Sequence, residues 1–129
     1  SDPALRAQVL QWLMFQMGGI GPMFGQYGYF SVFAGSDIED PRPKERYLQE
    51  GRRLLAVLEG HLSDRSYLVG DDYSIADIAI WPWIRAAKEF YKADKDFDYD
   101  NLPNVMRWWE LCMARPASNK GLKIPNRDG

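Results

Sequence analysis

The hydrophobic residues of this chain recur at spacings of three and four positions, which is the period of a helix buried along one side. In residues 4–17 the positions that would face a core are Leu5, Val9, Trp12, Leu13 and Gln16. The glycines between positions 18 and 21 then predict an interruption of this helix. Pro22 suits the first turn of a continuing helix that reaches Phe33.

Three further helices follow from the same period. Residues 35–43 hold two prolines and three acidic residues and predict an exposed loop, after which Pro43 opens a long helix. Its apolar stripe consists of Gly51, Leu54, Leu55, Leu58 and Leu62. We expect the next helix to run from Ser74 to about Lys88 with a bend at Pro82, and the last from Pro103 until Pro116 ends it.

No segment alternates with a period of two, so we predict no strands. The 129 residues, 46% of them apolar, are enough for one domain with a sizeable core. The fold class expected is therefore all-α, a compact bundle of about five to six helices spanning residues 1–129.

The charge pattern excludes several classes of partner. A net charge of -2 gives no general attraction to nucleic acid or to an anionic membrane. Residues 7–36 carry no charge, a length that could cross a bilayer, but four glutamines, six glycines and Pro22 argue against a membrane span. We interpret this stretch as a helix pair covered by the core and by another protein surface.

The chain has one cysteine and one histidine, so it forms no internal disulfide, and we expect no metal site. A reducing compartment, the cytoplasm, fits best. We expect Cys112 to be a core thiol and His61 to offset a helix dipole or bond terminal carbonyls. Residues 1–3 lack an initiating methionine and signal-peptide features, which suggests an artificial boundary with sequence removed upstream.

The segment around Ser74 carries the clearest local signal. Ser74 and Asp77 have the spacing of a capping box, in which each side chain accepts a hydrogen bond from the other residue's backbone N–H. Tyr73 and Ile78 occupy the positions of a hydrophobic staple. A nucleophilic role for Ser74 is disfavoured because no histidine lies nearby in the sequence.

Two other patterns suggest sites but fail in detail. The glycines of residues 18–25 miss the spacing of a dinucleotide-binding loop and do not follow a strand. The alternating acids of residues 94–100 resemble a calcium loop, but Tyr99 stands where glycine is needed and Val105 where glutamate is needed. We interpret the glycines as positions where one backbone approaches another closely, and the acidic run as a solvated connector.

The motifs together resemble a known family. The strings S-I-A-D-I, W-P-W, L-P-N-V-M-R-W-W-E and A-R-P-A resemble the C-terminal domain of glutathione S-transferases. The opening string L-Q-W-L-M-F-Q-M-G-G-I-G-P-M-F-G-Q is similar to the bacterial nu-class branch, the glutathione-dependent disulfide-bond oxidoreductases. The resemblance covers residues 5–121.

The resemblance implies a division of labour. An upstream thioredoxin-like half, absent from this chain, would bind glutathione as cosubstrate and activate its thiol. This helical domain would hold no catalytic residue and be inactive alone. In the longer enzyme it would supply much of a homodimer interface and one wall of the pocket for a small electrophile or disulfide.

The resemblance also implies site residues. Gln16, Met23 and Tyr27 are the pocket candidates, and Arg46 would reach across the dimer toward the partner's glutathione. Arg46 could equally be a solvated arginine on a helix face. The string Tyr27-Gly28-Tyr29 departs from the polar or histidine residues of near relatives, which leaves the acceptor preference open.

A non-catalytic role is the competing hypothesis. Helical domains of this type also serve as assembly modules in translation-elongation gamma subunits and synthetase complexes, where no upstream chemistry is needed. A thioredoxin-like unit before residue 1 would favour the enzyme, and a long unrelated extension would favour the assembly module.

Overall fold

The computed structural model describes residues 2–125, and within that range it contains helices and turns but no strand. Six α-helices follow in order: α1 Pro3–Phe15, α2 Gly21–Val32, α3 Arg42–His61, α4 Ile75–Arg85, α5 Pro103–Met113 and α6 Pro116–Gly121. The predicted all-α class is confirmed. Ser1, part of the segment interpreted above as an artificial boundary, lies outside the described residues.

The predicted interruption is found near the glycines, where regular α-helix stops at Phe15 and resumes at Gly21, but the helices α1 and α2 still form one continuous rod. A π-helical turn, Gln16–Ile20, joins them, and the N–H of Gly21 donates to the carbonyl of Gln16, five residues earlier. Pro22, in the first turn of α2, has no N–H to donate, so one hydrogen bond of the rod is missing directly after the wide turn. The chain therefore widens one turn instead of leaving the helix.

The core lies between the rod and the three helices that follow it. The predicted leucine stripe of α3 is confirmed, since Gly51 and all four leucines are buried. The ring of Phe30 in α2 stacks on that of Tyr47 in α3, with centroids 5.8 Å apart, so the end of α2 lies beside the start of α3. The largest fully buried side chains include Phe24, Tyr27, Ile80, Ile84, Phe97, Tyr99 and Trp108.

Two helix ends lie close to the predicted positions. A π-helical turn, Ala86–Phe90, extends α4 two residues past Lys88. Helix α5 stops at Met113, and Arg115 before Pro116 is extended, as predicted for the residue before a proline. Pro116 itself starts the short helix α6, in whose first turn the missing proline N–H costs no hydrogen bond.

Residues 91–102 connect α4 to α5 and cross the α2–α3 pair. A 3-10 turn, Tyr99–Asn101, ends this connector. None of the helices in residues 2–125 is long and apolar enough to cross a membrane.

Candidate functional site

The capping box at the start of α4 is present. The Ser74 N–H donates to Oδ2 of Asp77 at 2.9 Å, and the Ser74 hydroxyl accepts from the Ala76 N–H at 3.2 Å. The Ser74 hydroxyl also donates to the same carboxylate oxygen of Asp77 at 3.2 Å. Ser74 is therefore held by its own helix, as expected for a structural cap.

Asp77 also binds two segments that are distant in sequence. Its side chain is fully buried, and Oδ1 accepts from the backbone N–H of Leu68 at 3.0 Å and from Nε1 of Trp108 at 2.9 Å. With the two bonds from Ser74, the carboxylate satisfies four donors. It fixes the loop before α4 and the packing of α5, and it is a structural residue.

The two residues of the predicted staple line one apolar cavity of about 340 Å³ between α4 and α6. Tyr73 accepts a hydrogen bond from Nε1 of Trp81 at 2.9 Å, and the guanidinium of Arg115 lies 4.1 Å from its ring centroid. Ile78 is half exposed. The sequence predicted the pair but not the cavity, whose other wall comes from α6.

Cys112 is a core thiol, as predicted, whereas His61 bonds a carbonyl of the following loop and not one at the end of its own helix. Cys112 is fully buried, and this burial raises the pKa of its thiol, with a further contribution from the charge of Asp77. At the end of α3, Nε2 of His61 lies 2.8 Å from the carbonyl oxygen of Leu68, which can only accept, so Nε2 donates. Nδ1 of His61 then accepts from Arg65 at 2.9 Å.

The predicted pocket residues lie along the rod at different depths. Gln16 and Tyr27 are buried, whereas Met23 is half-buried. The Tyr27 hydroxyl donates a short hydrogen bond to the carboxylate of Asp96, in the α4–α5 connector. Burial first, and then this bond, raises the pKa of Tyr27 to about 12. That these three residues bind the acceptor substrate stays a prediction.

Arg46 lies in the first turns of α3 with an exposed side chain. Within residues 2–125 it belongs to none of the ion pairs, whereas Arg53 on the same helix pairs with Glu50 at 2.7 Å. The ammonium of Lys44 lies 5.7 Å from the ring centroid of Tyr27, so the start of α3 places positive charge beside the wall formed by α2.

Two exposed aromatic rings lie near the end of α2. The stacking of Phe30 on Tyr47 holds this end of α2 beside the start of α3. Phe33 is 47% exposed and Phe90 is 62% exposed, and their ring centroids are 5.8 Å apart. We call this region, with Arg46 and Lys44, the open end. No local pattern in the sequence predicts the pairing of Phe33 with Phe90, because it depends on tertiary structure.

The open end carries groups that can bind a ligand. No three His, Cys, Asp or Glu side chains come together as a possible metal site anywhere in residues 2–125. Thiol–disulfide exchange needs a thiolate, and Cys112 is buried away from solvent with its pKa raised. The open end offers cations and apolar rings, which suit an anionic ligand with an apolar portion.

Comparisons with known proteins agree with this arrangement. Residues 22–116 match the model of the glutathione S-transferase C-terminal domain. Disulfide-bond oxidoreductase YfcG of Escherichia coli is 42% identical over 117 residues, which cover 91% of this chain and 51% of that protein.

Two crystal structures of bacterial glutathione transferases superpose closely. The Pseudomonas putida enzyme, with one glutathione disulfide per subunit, gives a TM-score of 0.94 at 54% identity and covers 97% of this chain and 54% of its own. The Burkholderia graminis enzyme, with two glutathione molecules per subunit, gives a TM-score of 0.95 at 51% identity. The match covers 98% of this chain and 53% of that enzyme's chain. The chain thus spans about half the length of the relatives it matches. Since the family model also covers most of the chain, the protein belongs to the glutathione S-transferase C-terminal domain family.

Proposed function

We propose that this domain forms one wall of the acceptor site and part of the dimer interface in a longer glutathione-dependent disulfide-bond oxidoreductase or transferase. In that protein a thioredoxin-like upstream half binds glutathione and activates its thiol. The observation that carries the proposal is the open end, where the end of α2, followed by the exposed ring of Phe33, lies beside the start of α3, which carries the exposed Arg46 outside any ion pair of the described chain.

Arg46 would bind a carboxylate of glutathione held by the partner subunit. Its guanidinium is exposed on the first turns of α3, and bidentate pairing with a carboxylate is the contact that arginine makes best. Met23 and Tyr27 on α2, with Gln16 in the π-helical turn, would line or support the apolar side of the same site. The relative from Pseudomonas putida, whose structure contains glutathione disulfide, supports a small disulfide as acceptor, with a small electrophile as the alternative.

The outward side of the rod supports a homodimer. Leu10, Met14 and Met17 are 48%, 62% and 64% exposed and follow each other at spacings of four and three residues. These spacings place them on one stripe of a rod that carries no charge from residue 7 to residue 36. A second copy of the protein would cover this stripe. A cytoplasmic location suits both the free thiol of Cys112 and the use of reduced glutathione.

The experiment compares this chain with the product of the complete reading frame that encodes it. Glutathione is titrated into both by calorimetry, and both are assayed with glutathione and bis(2-hydroxyethyl) disulfide. We expect binding and exchange only in the longer protein. Micromolar glutathione binding by this chain alone would contradict the division of labour. A longer protein that neither binds glutathione nor reduces the disulfide would point to the assembly module instead.

A further inference from the structure

The connector between α4 and α5 is pinned across the α2–α3 pair by residues that the functional proposal does not use. We call residues 91–97 the strap. Ala93 and Phe97 are buried, and the strap holds its own shape through the backbone hydrogen bonds Ala93 N–H to Ala87 O and Phe97 N–H to Ala93 O, each 2.9 Å. It is thus an ordered element of the domain.

Two aromatic rings of the strap pack directly against glycines of α2 and α3. The ring of Phe97 stacks on Phe24 of α2 at 4.7 Å, and a Cβ added to Gly51 of α3 would lie 2.5 Å from it. A Cβ added to Gly28 of α2 would lie 2.5 Å from the ring of Tyr91. Because real Cβ atoms do not approach so closely, only glycine lets both rings lie this near to α2 and α3.

Asp96 supplies the polar part of the same attachment. Its carboxylate accepts from the hydroxyl of Tyr27 in α2, and its backbone carbonyl accepts from Nε of Arg52 in α3 at 2.6 Å. One strap residue therefore bonds both helices, and α2 cannot slide along α3 without breaking one of the two bonds.

The strap backbone is strained at its edges. Lys92 has a φ of 55° and Asp98 a φ of 58°, in the left-handed region that residues with a side chain rarely adopt. Such conformations persist where the surrounding contacts determine them. The contacts of Asp96 and Phe97 lie between these two residues and hold the strap in place.

We infer that Asp96 is a positioning residue, which through Tyr27 and Arg52 fixes the α2 wall of the acceptor site relative to Arg46 at the start of α3. This inference rests on the proposed function. Asp96 touches no substrate in this scheme. The distance between the apolar wall and the cation, and hence the fit of the acceptor, depends on the bond from Asp96 to Tyr27.

The test uses the complete reading-frame product with glutathione and bis(2-hydroxyethyl) disulfide. Asp96→Ala should raise the KM for the disulfide about threefold to tenfold, the effect of losing one hydrogen bond of typical net strength, while kcat changes less than about twofold. Asp96→Asn keeps an acceptor for the Tyr27 hydroxyl and should restore KM to within about twofold of wild type. Asp100→Ala, which removes an exposed carboxylate of the same connector, is the matched control.

Hydrogen exchange of α2 amides separates the possible failures. Asp96→Ala should speed exchange in residues 24–32 and leave residues 3–15 of α1 unchanged. An active enzyme whose KM and α2 exchange are both insensitive to Asp96→Ala overturns the inference. Faster exchange with an unchanged KM leaves Asp96 a purely structural role and also overturns it. An inactive wild-type protein with faster α2 exchange in the variant shows that the proposed function, not the attachment of the strap, has failed.

Discussion

The carboxylate of Glu59, on α3, accepts a hydrogen bond of 2.9 Å from the backbone N–H of Val105, at the start of α5. Its other oxygen accepts from the N–H of Asn104 at 3.1 Å and from the Asn104 side-chain amide at 2.7 Å. Helix α5 starts after Leu102, which has no side chain that can cap it. The cap of α5 is therefore supplied by another helix.

Glu59→Ala should destabilise the domain by about 2 kcal/mol, because it removes the cap of α5 and leaves part-buried N–H groups unpaired. Urea titration followed by tryptophan fluorescence measures this change. Glu59→Gln keeps one acceptor oxygen and should cost less. Glu110→Ala, an exposed glutamate on α5, should stay within about 0.5 kcal/mol of wild type, and an equal loss for both alanine variants would refute the cap.

Asp77→Ala should cost about 3–5 kcal/mol, more than the loss of an exposed cap. The change removes the capping box and leaves the buried donors of Leu68 and Trp108 without a partner. Ser74→Ala, which affects the local cap alone, should cost only about 1 kcal/mol. Denaturant titration of both variants decides, and equal losses would show that the two distant bonds contribute nothing.

Arg46→Ala in the complete reading-frame product should raise the dissociation constant for glutathione about tenfold, since it removes a charge-assisted hydrogen bond, which at an exposed site contributes about 1.5 kcal/mol, the low end of the usual range. Calorimetric titration measures it. Arg53→Ala is the matched control, because Arg53 lies on the same helix but pairs with Glu50. Unchanged affinity in the Arg46→Ala variant would show that Arg46 is a solvated arginine on a helix face and does not contact glutathione.

The domain should lose stability in alkaline solution. The pKa of Tyr27 rises from 10.0 to about 12 on folding, so its ionisation favours the unfolded chain as the pH rises through that interval. Burial also raises the pKa values of Cys112 and Tyr99, which act in the same direction. The urea concentration at the unfolding midpoint should therefore decrease as the pH rises above about 9. Tyr27→Phe should flatten the decline between pH 10 and 12, and an identical slope in the variant would show that Tyr27 does not contribute.

Local signals in the sequence predicted the helices and the cap of α4 correctly. Ser74 and Asp77 are three residues apart, so their hydrogen bonds belong to one helical turn. The spacing of the leucines in α3 shows directly which face of that helix is buried. The resemblance to glutathione S-transferases rested on such local strings and is confirmed by the family match.

Contacts between distant segments left no comparable signal. Glu59 and Val105 are 46 positions apart, and Tyr27 and Asp96 are 69 positions apart. In the sequence, Asp96 is one of several acids in a connector that reads as solvated. Only the folded arrangement distinguishes it from its neighbours, and the same is true of the pairing of Phe33 with Phe90.

The π-helical turn Gln16–Ile20 determines how this domain tolerates changes in length. Trp12 and Phe24, both buried, are twelve positions apart, which in an unbroken α-helix would rotate them about 120° from each other. The wider turn absorbs one residue and brings them to within about 20°. Deleting a single residue there would give a regular helix whose second half keeps its direction, whereas inserting one more residue would rotate that half by about 100°. The rod can therefore lose the extra residue of the π-helical turn and keep both Trp12 and Phe24 on its buried side.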